Sequence, residues 1–461
     1  MVLSVEFEKV GPINRGSVSL HNLMLFCGEN NAGKTYASYV LYNVFDKKFQ
    51  TAIDYLDEKA LKSSGIAKVD LEDALDRYEE VTEAWSDELT RSLPELFNAE
   101  PSGFANSAIA LRQNVEHIKN EIFDAPFENR WSFNGRPAGR VTKPAKSFMA
   151  EVRLEEGTED LDDFDFSYVL NAGIIRFFDT LIFKDLYSDA FLLPAERAGL
   201  NLFYKELNAS RNELLRKVTS EVRHDSLVFD LKKEISMYAK PISDYLTFLN
   251  RLSFYARQKS SFSDLALKIQ ETVLKGSYVL DDTGIQYVSD SAEAANDNFK
   301  IGLHTSSSTA KTLFGLVFYF NHMAVPGATL IIDEPELNLH PDNQRKLARI
   351  LAEATNRGLR VILSTHSDYI VKEFNNLIML SNDFENKEHI MQKFGYTVEQ
   401  ILEPQNVGAY MFADHTIAEM EVNEREGIIA ETFNEVINQY NDSNDEIYYA
   451  LMENEEHAES D

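Results

Sequence analysis

The chain has 461 residues, 44% of them apolar and 26% charged, with a formal net charge of −30 and a single cysteine. That length allows about two or three domains' worth of core, and the negative sheath repels nucleic acid, so a DNA or RNA contact would need a local basic patch. No apolar run approaches the roughly 18 residues of a membrane span, Met1–Val10 carries Glu6 and Glu8 and reads as no signal peptide, and a lone cysteine forms no internal disulfide, which together point to the cytoplasm.

Val2–Glu8 alternates apolar and polar residues in part, and Ser17–Cys27 contains a second strand. Gly11-Pro12 and Asn14-Arg15-Gly16 between them are turn signals. Leu23–Cys27 is an apolar run that reads as a buried strand with an inert thiol, Cys27. It leads into Gly28-Glu29-Asn30-Asn31-Ala32-Gly33-Lys34-Thr35, a G-x-x-x-x-G-K-T loop, and Tyr36–Val44 continues as a helix. Strand, glycine-bounded loop and helix are the context of a phosphate-binding P-loop. Gly28 and Gly33 let the chain turn so that successive N–H groups across Asn30, Asn31 and Ala32 point at a β-phosphate. Lys34 would reach the β- and γ-phosphates of ATP, and the Thr35 hydroxyl would hold Mg²⁺.

From about Lys47 to Tyr187 the P-loop fold is interrupted. Val69–Phe97 and Asn106–Ile122 carry helical spacing, Trp131–Leu154 is richer in strand and turn residues such as Asn134-Gly135, and Tyr168–Tyr187 reads as a helix. Asn129–Phe148 holds Arg130, Arg136, Arg140, Lys143 and Lys146 without an acid, while Glu155–Asp165 is densely acidic. Phe191–Leu193 is a short strand running into Pro194-Ala195-Glu196-Arg197, and Asn201–Lys275 is mostly helical with a basic excess. Both basic stretches read either as solvated surface or as a receiver for an acidic partner. Tyr278–Val288 is a hairpin about Asp282-Thr283-Gly284. No internal repeat and no sustained heptad seam is present, which argues against long SMC-type arms.

Ala328–Ile332 is an apolar strand ending in Asp333-Glu334, the Walker B pattern. Asp333 would bind Mg²⁺ and Glu334 would orient and polarise the attacking water. Leu337-Asn338-Leu339-His340-Pro341 follows in the place of a D-loop, and Val361–Ser367 is another buried strand ending in His366, a switch histidine that would sense the γ-phosphate. Ahead of Walker B, Thr305-Ser306-Ser307-Ser308-Thr309 opens a helix over Thr312–His322, where an ABC signature would sit. A hydroxyl-rich helix start offers N–H and O–H donors to a phosphate, and Ser307 and Ser308 supplied from a neighbouring protomer would make hydrolysis depend on dimerisation.

On the P-loop, Pro194-Ala195-Glu196-Arg197, the run Asp333 to Pro341 and Ser364-Thr365-His366-Ser367, the chain resembles ABC-like ATPases of the overcoming-lysogenization-defect (OLD) group, the AAA15–AAA21 families of bacterial anti-phage systems. Pro404–Leu451 also resembles the usual ending of that group. The signature departs from the Leu-Ser-Gly-Gly-Gln pattern, having Ser307-Ser308-Thr309 without either glycine. The resemblance implies an α/β fold: a P-loop ABC-type head formed by residues 1–46 and 277–400. A mainly helical insertion would occupy 47–190, a helical lid or arm 191–276, and a segment with an acidic tail 401–461. It also implies a homo-oligomer of ATP-sandwich dimers, which in a larger form is a ring. Pro194–Arg197 lies where core joins lid, so Glu196 or Arg197 either couples nucleotide state to lid position or pairs locally.

OLD-type nucleases add a TOPRIM domain, which needs a glutamate and an Asp-x-Asp pair for metal. No Asp-x-Asp follows His366, and the ten histidines form no HNH constellation. The expectation is therefore an ATPase without a nuclease centre. Its resemblance to the ATPase subunits of PARIS-type systems implies a separate TOPRIM nuclease held inactive, and a phage trigger protein in the form of an acidic DNA mimic. Septu-type relatives imply an HNH nuclease instead. A stand-alone SMC-like DNA-processing ATPase would show heptad arms and a basic head, and a transport ATPase an intact signature.

Overall fold

The computed structural model describes residues 3–46, 55–184, 186, 188–207, 238–281, 284–290, 300–429 and 442–448. Its frame is a nine-stranded mixed sheet. In chain order the strands are β1 (Ser4–Val10), β2 (Ile13–Ser19), β3 (Leu23–Gly28), β5 (Ala108–Arg112), β9 (Ala190–Leu193), β13 (Thr329–Asp333), β14 (Arg360–Ser364), β15 (Val407–Ala413) and β16 (Thr416–Met420). They lie in the order β5-β1-β2-β16-β15-β3-β14-β13-β9. Strands β3, β14, β13 and β9 run parallel, with Leu25 opposite Leu363 and Ile332 opposite both Leu363 and Leu193.

Strands β3, β13 and β14 are apolar along their length because helices cover both faces. Alternation sends Leu23, Leu25, Cys27, Leu330, Ile332, Val361 and Leu363 into one core, beside the helices Ser308–His322, Pro341–Asn356 and Asp368–Met379. Met24, Phe26, Ile331 and Ile362 enter the other, with helix α1 (Lys34–Asp46) and the insertion. Because β3 and β13 both run parallel to β14, P-loop and Walker B lie at the same, carboxyl end of the sheet.

Several expectations need correction. The insertion has more helix than strand among its described residues, but it also carries an unforeseen four-stranded antiparallel sheet in the order β4-β8-β7-β6, formed by β4 (Ile66–Asp70), β6 (Phe127–Phe133), β7 (Arg136–Lys143) and β8 (Met149–Leu154). Asn134 and Gly135 both have positive φ, so they close the β6–β7 hairpin. The expected helix Val69–Phe97 is three, Leu71–Asp76, Tyr78–Arg91 and Leu93–Phe97, and β5 replaces the first turns of the expected helix Asn106–Ile122. Asn14-Arg15-Gly16 is not a turn; these residues lie in β2, where Arg15 and Gly16 pair with Thr416 and Ile417. Residues 407–420 are part of the head sheet, because β15 pairs with β3 on the side opposite β14 and β16 pairs with β15. The hairpin expected at Tyr278–Val288 is present as β10 (Gly276–Asp281) and β11 (Gly284–Ser289), joined by β12 (Lys300–Gly302). Its tip, residues 282–283, lies outside the described residues, as do residues 208–237 of the basic arm and most of the acidic tail.

The basic stretch 129–148 is not one surface. Lys143 is buried, and its ammonium donates to the carbonyls of Phe123, Pro144 and Ser147. Arg130 pairs with Glu128 at 2.8 Å. Among the described residues no helix is long and apolar enough to cross a membrane.

Candidate functional site

Three loops meet at the carboxyl ends of β3, β13 and β14. Pro12, Asn30, Asn31, Gly33, Lys34, Thr35, Tyr36, Asp333, Glu334 and His366 line one cleft of about 690 Å³. The P-loop forms because Gly28 and Gly33 take φ of 130° and 108°. At Gly28 a Cβ would lie 2.1 Å from the Phe412 carbonyl oxygen, so β15 leaves no room for a side chain. Asn31 also has positive φ, 63°, which asparagine tolerates. Lys34 is 6% exposed; its ammonium donates to the carbonyls of Gly28 and Glu29 at 3.0 and 2.7 Å, which holds it over the loop.

Thr35 Oγ1 donates to Asp333 Oδ2 at 3.0 Å, joining P-loop and Walker B across the sheet. The other Asp333 oxygen accepts from the Ser364 hydroxyl. Glu334 leaves the strand at φ 51°, a left-handed conformation that costs a non-glycine residue on the order of 1–3 kcal/mol. Its N–H donates to Ser364 O at 3.0 Å. Glu336 accepts from Thr365 Oγ1 at 3.0 Å and from the His366 N–H at 2.6 Å, so it fixes the loop that presents His366.

The charges follow from this packing. Burial pulls the Lys34 ammonium below its ordinary pKa, against the field of Asp333. Burial, and after it the Asp333 and Glu336 carboxylates, pushes Glu334 up. Burial, and after it Lys34, pushes the His366 imidazole down, which favours its neutral form. Burial raises the Cys27 thiol to about 12, which leaves it protonated and inert as expected.

Ser307 and Ser308 do not line the cleft. Ser307 caps its own helix, accepting from the Ala310 N–H at 3.2 Å. That helix start is tied to the loop after Walker B: Thr309 Oγ1 donates to Asn338 O at 2.8 Å, and Asn338 Nδ2 to Thr312 Oγ1 at 3.0 Å. Ala32 packs partly buried against the apolar core below the loop.

Sequence reasoning missed Pro12, Tyr36 and Glu336 and left Arg197 undecided. Pro12 and Tyr36 offer ring surface at the mouth of the cleft, and Tyr36 stacks on Phe97 at 4.5 Å. Arg197 is 2% exposed, and its guanidinium donates to Pro194 O, Asp333 O and Glu334 O at 3.0, 2.6 and 2.7 Å. The signal available was an arginine three residues after a proline that ends a strand.

The donor set fits a nucleoside triphosphate with a hard divalent cation. A hydroxyl and a carboxylate stand together as oxygen ligands, beside a lysine and inward-turned backbone at the start of α1. Among the described residues no group of three or more His, Cys, Asp or Glu side chains could hold a metal by itself.

Three solved structures are similar at low identity. One is an Smc head domain with an extended coiled coil, bound to the C-terminal domain of ScpA, from Pyrococcus furiosus: 12% identity, TM-score 0.34, covering 95% of this chain and 99% of that one. An SMC head domain from Thermotoga maritima gives 10%, 0.30, 92% and 100%. An SmcHead bound to the C-winged helix domain of ScpA gives 12%, 0.36, 92% and 99%. No curated protein matches the chain. The model of the AAA ATPase domain family AAA_15 matches residues 11–371, more than half of the sequence, and the chain belongs to that family.

Proposed function

We propose that this chain is an ATP-binding and ATP-hydrolysing regulatory subunit that acts as a homo-oligomer and controls a separate effector protein. The observation that carries the reading is the 3.0 Å contact of Thr35 with Asp333, in a cleft also lined by Lys34, Glu334 and His366. A phosphate grip, a cation ligand pair, a water-orienting carboxylate and a neutral histidine are the parts that phosphoryl transfer to water requires.

P-loop N–H groups and Lys34 bind the β- and γ-phosphates. Thr35 and Asp333 would hold Mg²⁺, which when bound neutralises charge across those oxygens. Glu334 orients a water and takes its proton as the new O–P bond forms and the bond from the γ-phosphorus to the ADP oxygen breaks. His366 hydrogen-bonds the γ-phosphate and reports its loss to the helix Asp368–Met379. Ser307 and Ser308 of a second copy complete the site. The nucleotide state then sets whether the effector is held.

The effector in this reading is a TOPRIM-type nuclease, and its release follows recognition of a phage protein, the arrangement of an anti-phage system. Support for that part is the resemblance of the P-loop, Walker B and His366 motifs to the OLD group. Capture of the tagged chain from cells carrying its neighbouring genes, with and without ATP, tests it. A nuclease that is retained in one nucleotide state and lost in the other supports the reading, an HNH enzyme would change the effector class, and co-purifying nucleic acid with no protein would replace it by a DNA-processing ATPase.

A further inference from the structure

We infer that Arg197 is the positioning residue of Glu334: through the backbone it fixes the left-handed turn that aims the water-orienting carboxylate into the cleft. The inference rests on the hydrolytic reading of that cleft. It starts from a break in the sheet. Strand β9 pairs with β13 up to Leu193 opposite Ile332, and then ends. The chain turns away there, with Arg197 N–H on Pro194 O, so the ladder reaches no further toward Asp333. Asp333 O and Glu334 O are thereby left at a strand end without a strand partner on that side. The Arg197 guanidinium supplies the donors, at 2.6 and 2.7 Å. Its planar fork reaches two successive carbonyls, which a lysine ammonium on a single point cannot do with the same geometry.

The carbonyls it grips belong to the two residues with the most to lose from a small rotation. Glu334 has φ of 51°, a strained backbone that persists only where its surroundings over-determine it. Three residues do so: Ser364, whose O and Oγ accept from Glu334 N–H, Leu337, whose N–H donates to Glu334 O, and Arg197, which donates to Glu334 O. Two of these come from the chain that the turn itself connects or pairs with. Arg197 alone comes from another part of the molecule, helical residues 197–207.

Arg197 is itself anchored. One turn on, the buried Asn201 donates to Lys311 O at 2.7 Å and accepts from the Tyr245 hydroxyl at 2.8 Å. The same short helix thus touches the end of Walker B and the first turn of the serine-capped helix Ser308–His322. A shift of that helix start cannot occur without a pull on the Arg197 grip. Glu334 lines the cleft with Asp333, Lys34 and His366, while the buried Arg197 lies outside the cleft lining, on the backbone of the turn.

The test compares wild type, Arg197→Lys and Arg197→Met for ATP affinity and kcat, with folding checked by circular dichroism and thermal melting. The expected result is ATP affinity within about threefold of wild type, kcat lowered about tenfold or more in Arg197→Met, and partial recovery in Arg197→Lys. Combining Arg197→Met with Glu334→Gln should cost no more than Glu334→Gln alone, as for residues acting as one unit. Folded Arg197→Met with kcat within twofold of wild type overturns the inference while leaving the ATPase reading intact. Additive losses in the double variant, or unfolding of both Arg197 variants, overturn it too and make Arg197 a structural residue. A wild-type chain that binds ATP but never hydrolyses it overturns the hydrolytic reading and this inference with it.

Discussion

The P-loop and the start of the helix Ser308–His322 use the same chemistry, helix-end N–H groups beside hydroxyls, and put it to different ends. At the start of α1 the hydroxyl of Thr35 turns away from its own helix to Asp333, and the loop's N–H groups line a cleft. At the other helix the hydroxyl of Ser307 closes back on Ala310 N–H, and the residues after it are tied to Asn338. One end is assembled within a single chain. The other is ordered by its own contacts and stands apart from the cleft. The lesson is that the cleft is assembled within one chain while Ser307 stands apart from it; in the function proposed above, Ser307 serves a second copy.

The largest effect should come from Glu334. Glu334→Gln should leave ATP affinity near wild type while kcat falls about 10²–10⁴-fold, the usual scale for general base catalysis, as read by phosphate release. Unchanged turnover would remove Glu334 from the in-chain half. Lys34→Ala should weaken ATP binding about 10–100-fold in a fluorescence titration, because a charge-assisted contact to phosphate is lost. Wild-type affinity in that variant would break the P-loop assignment.

On the other side of the comparison, Ser307→Ala should lower kcat with little change in ATP affinity at low protein concentration, and should cost about 1 kcal/mol of stability as a lost cap. Equal losses of affinity and kcat would mean that Ser307 acts within its own chain. The pH profile of kcat should sharpen the assignment of Glu334. Its active form is ionised and its pKa is raised, so activity is full above that value and is lost as pH falls through it, starting above the ordinary glutamate range. An acid limb at or below that range would contradict the burial of Glu334 beside Asp333 and Glu336. The smallest effect is at Cys27, which should show no reaction with a thiol reagent until the protein unfolds.

The in-chain half was legible because its information is local. Leu23–Cys27 and Ala328–Ile332 are apolar runs of strand length, and each is followed directly by its charged or hydroxylic residues. Val407–Ala413 is equally strand-like, but nothing local says that it pairs with Leu23–Gly28 almost 400 residues earlier. The insertion misled for another reason. Helical spacing continues through Arg77 and Ser92, whereas Pro94 marks the last of the breaks. Arg197 read equally as surface charge or local pairing, since its partners are backbone carbonyls, which no side-chain pattern announces.

The most direct test of a site shared between copies is to mix two inactive chains, Lys34→Ala and Ser307→Arg, and follow phosphate release. Each alone should be nearly silent. Mixed in equal amounts they should recover about a quarter of wild-type activity, because half the symmetric dimers are mixed and one of their two sites is intact. A mixture as silent as its parts, or a Ser307→Arg chain as active as wild type, would contradict the account.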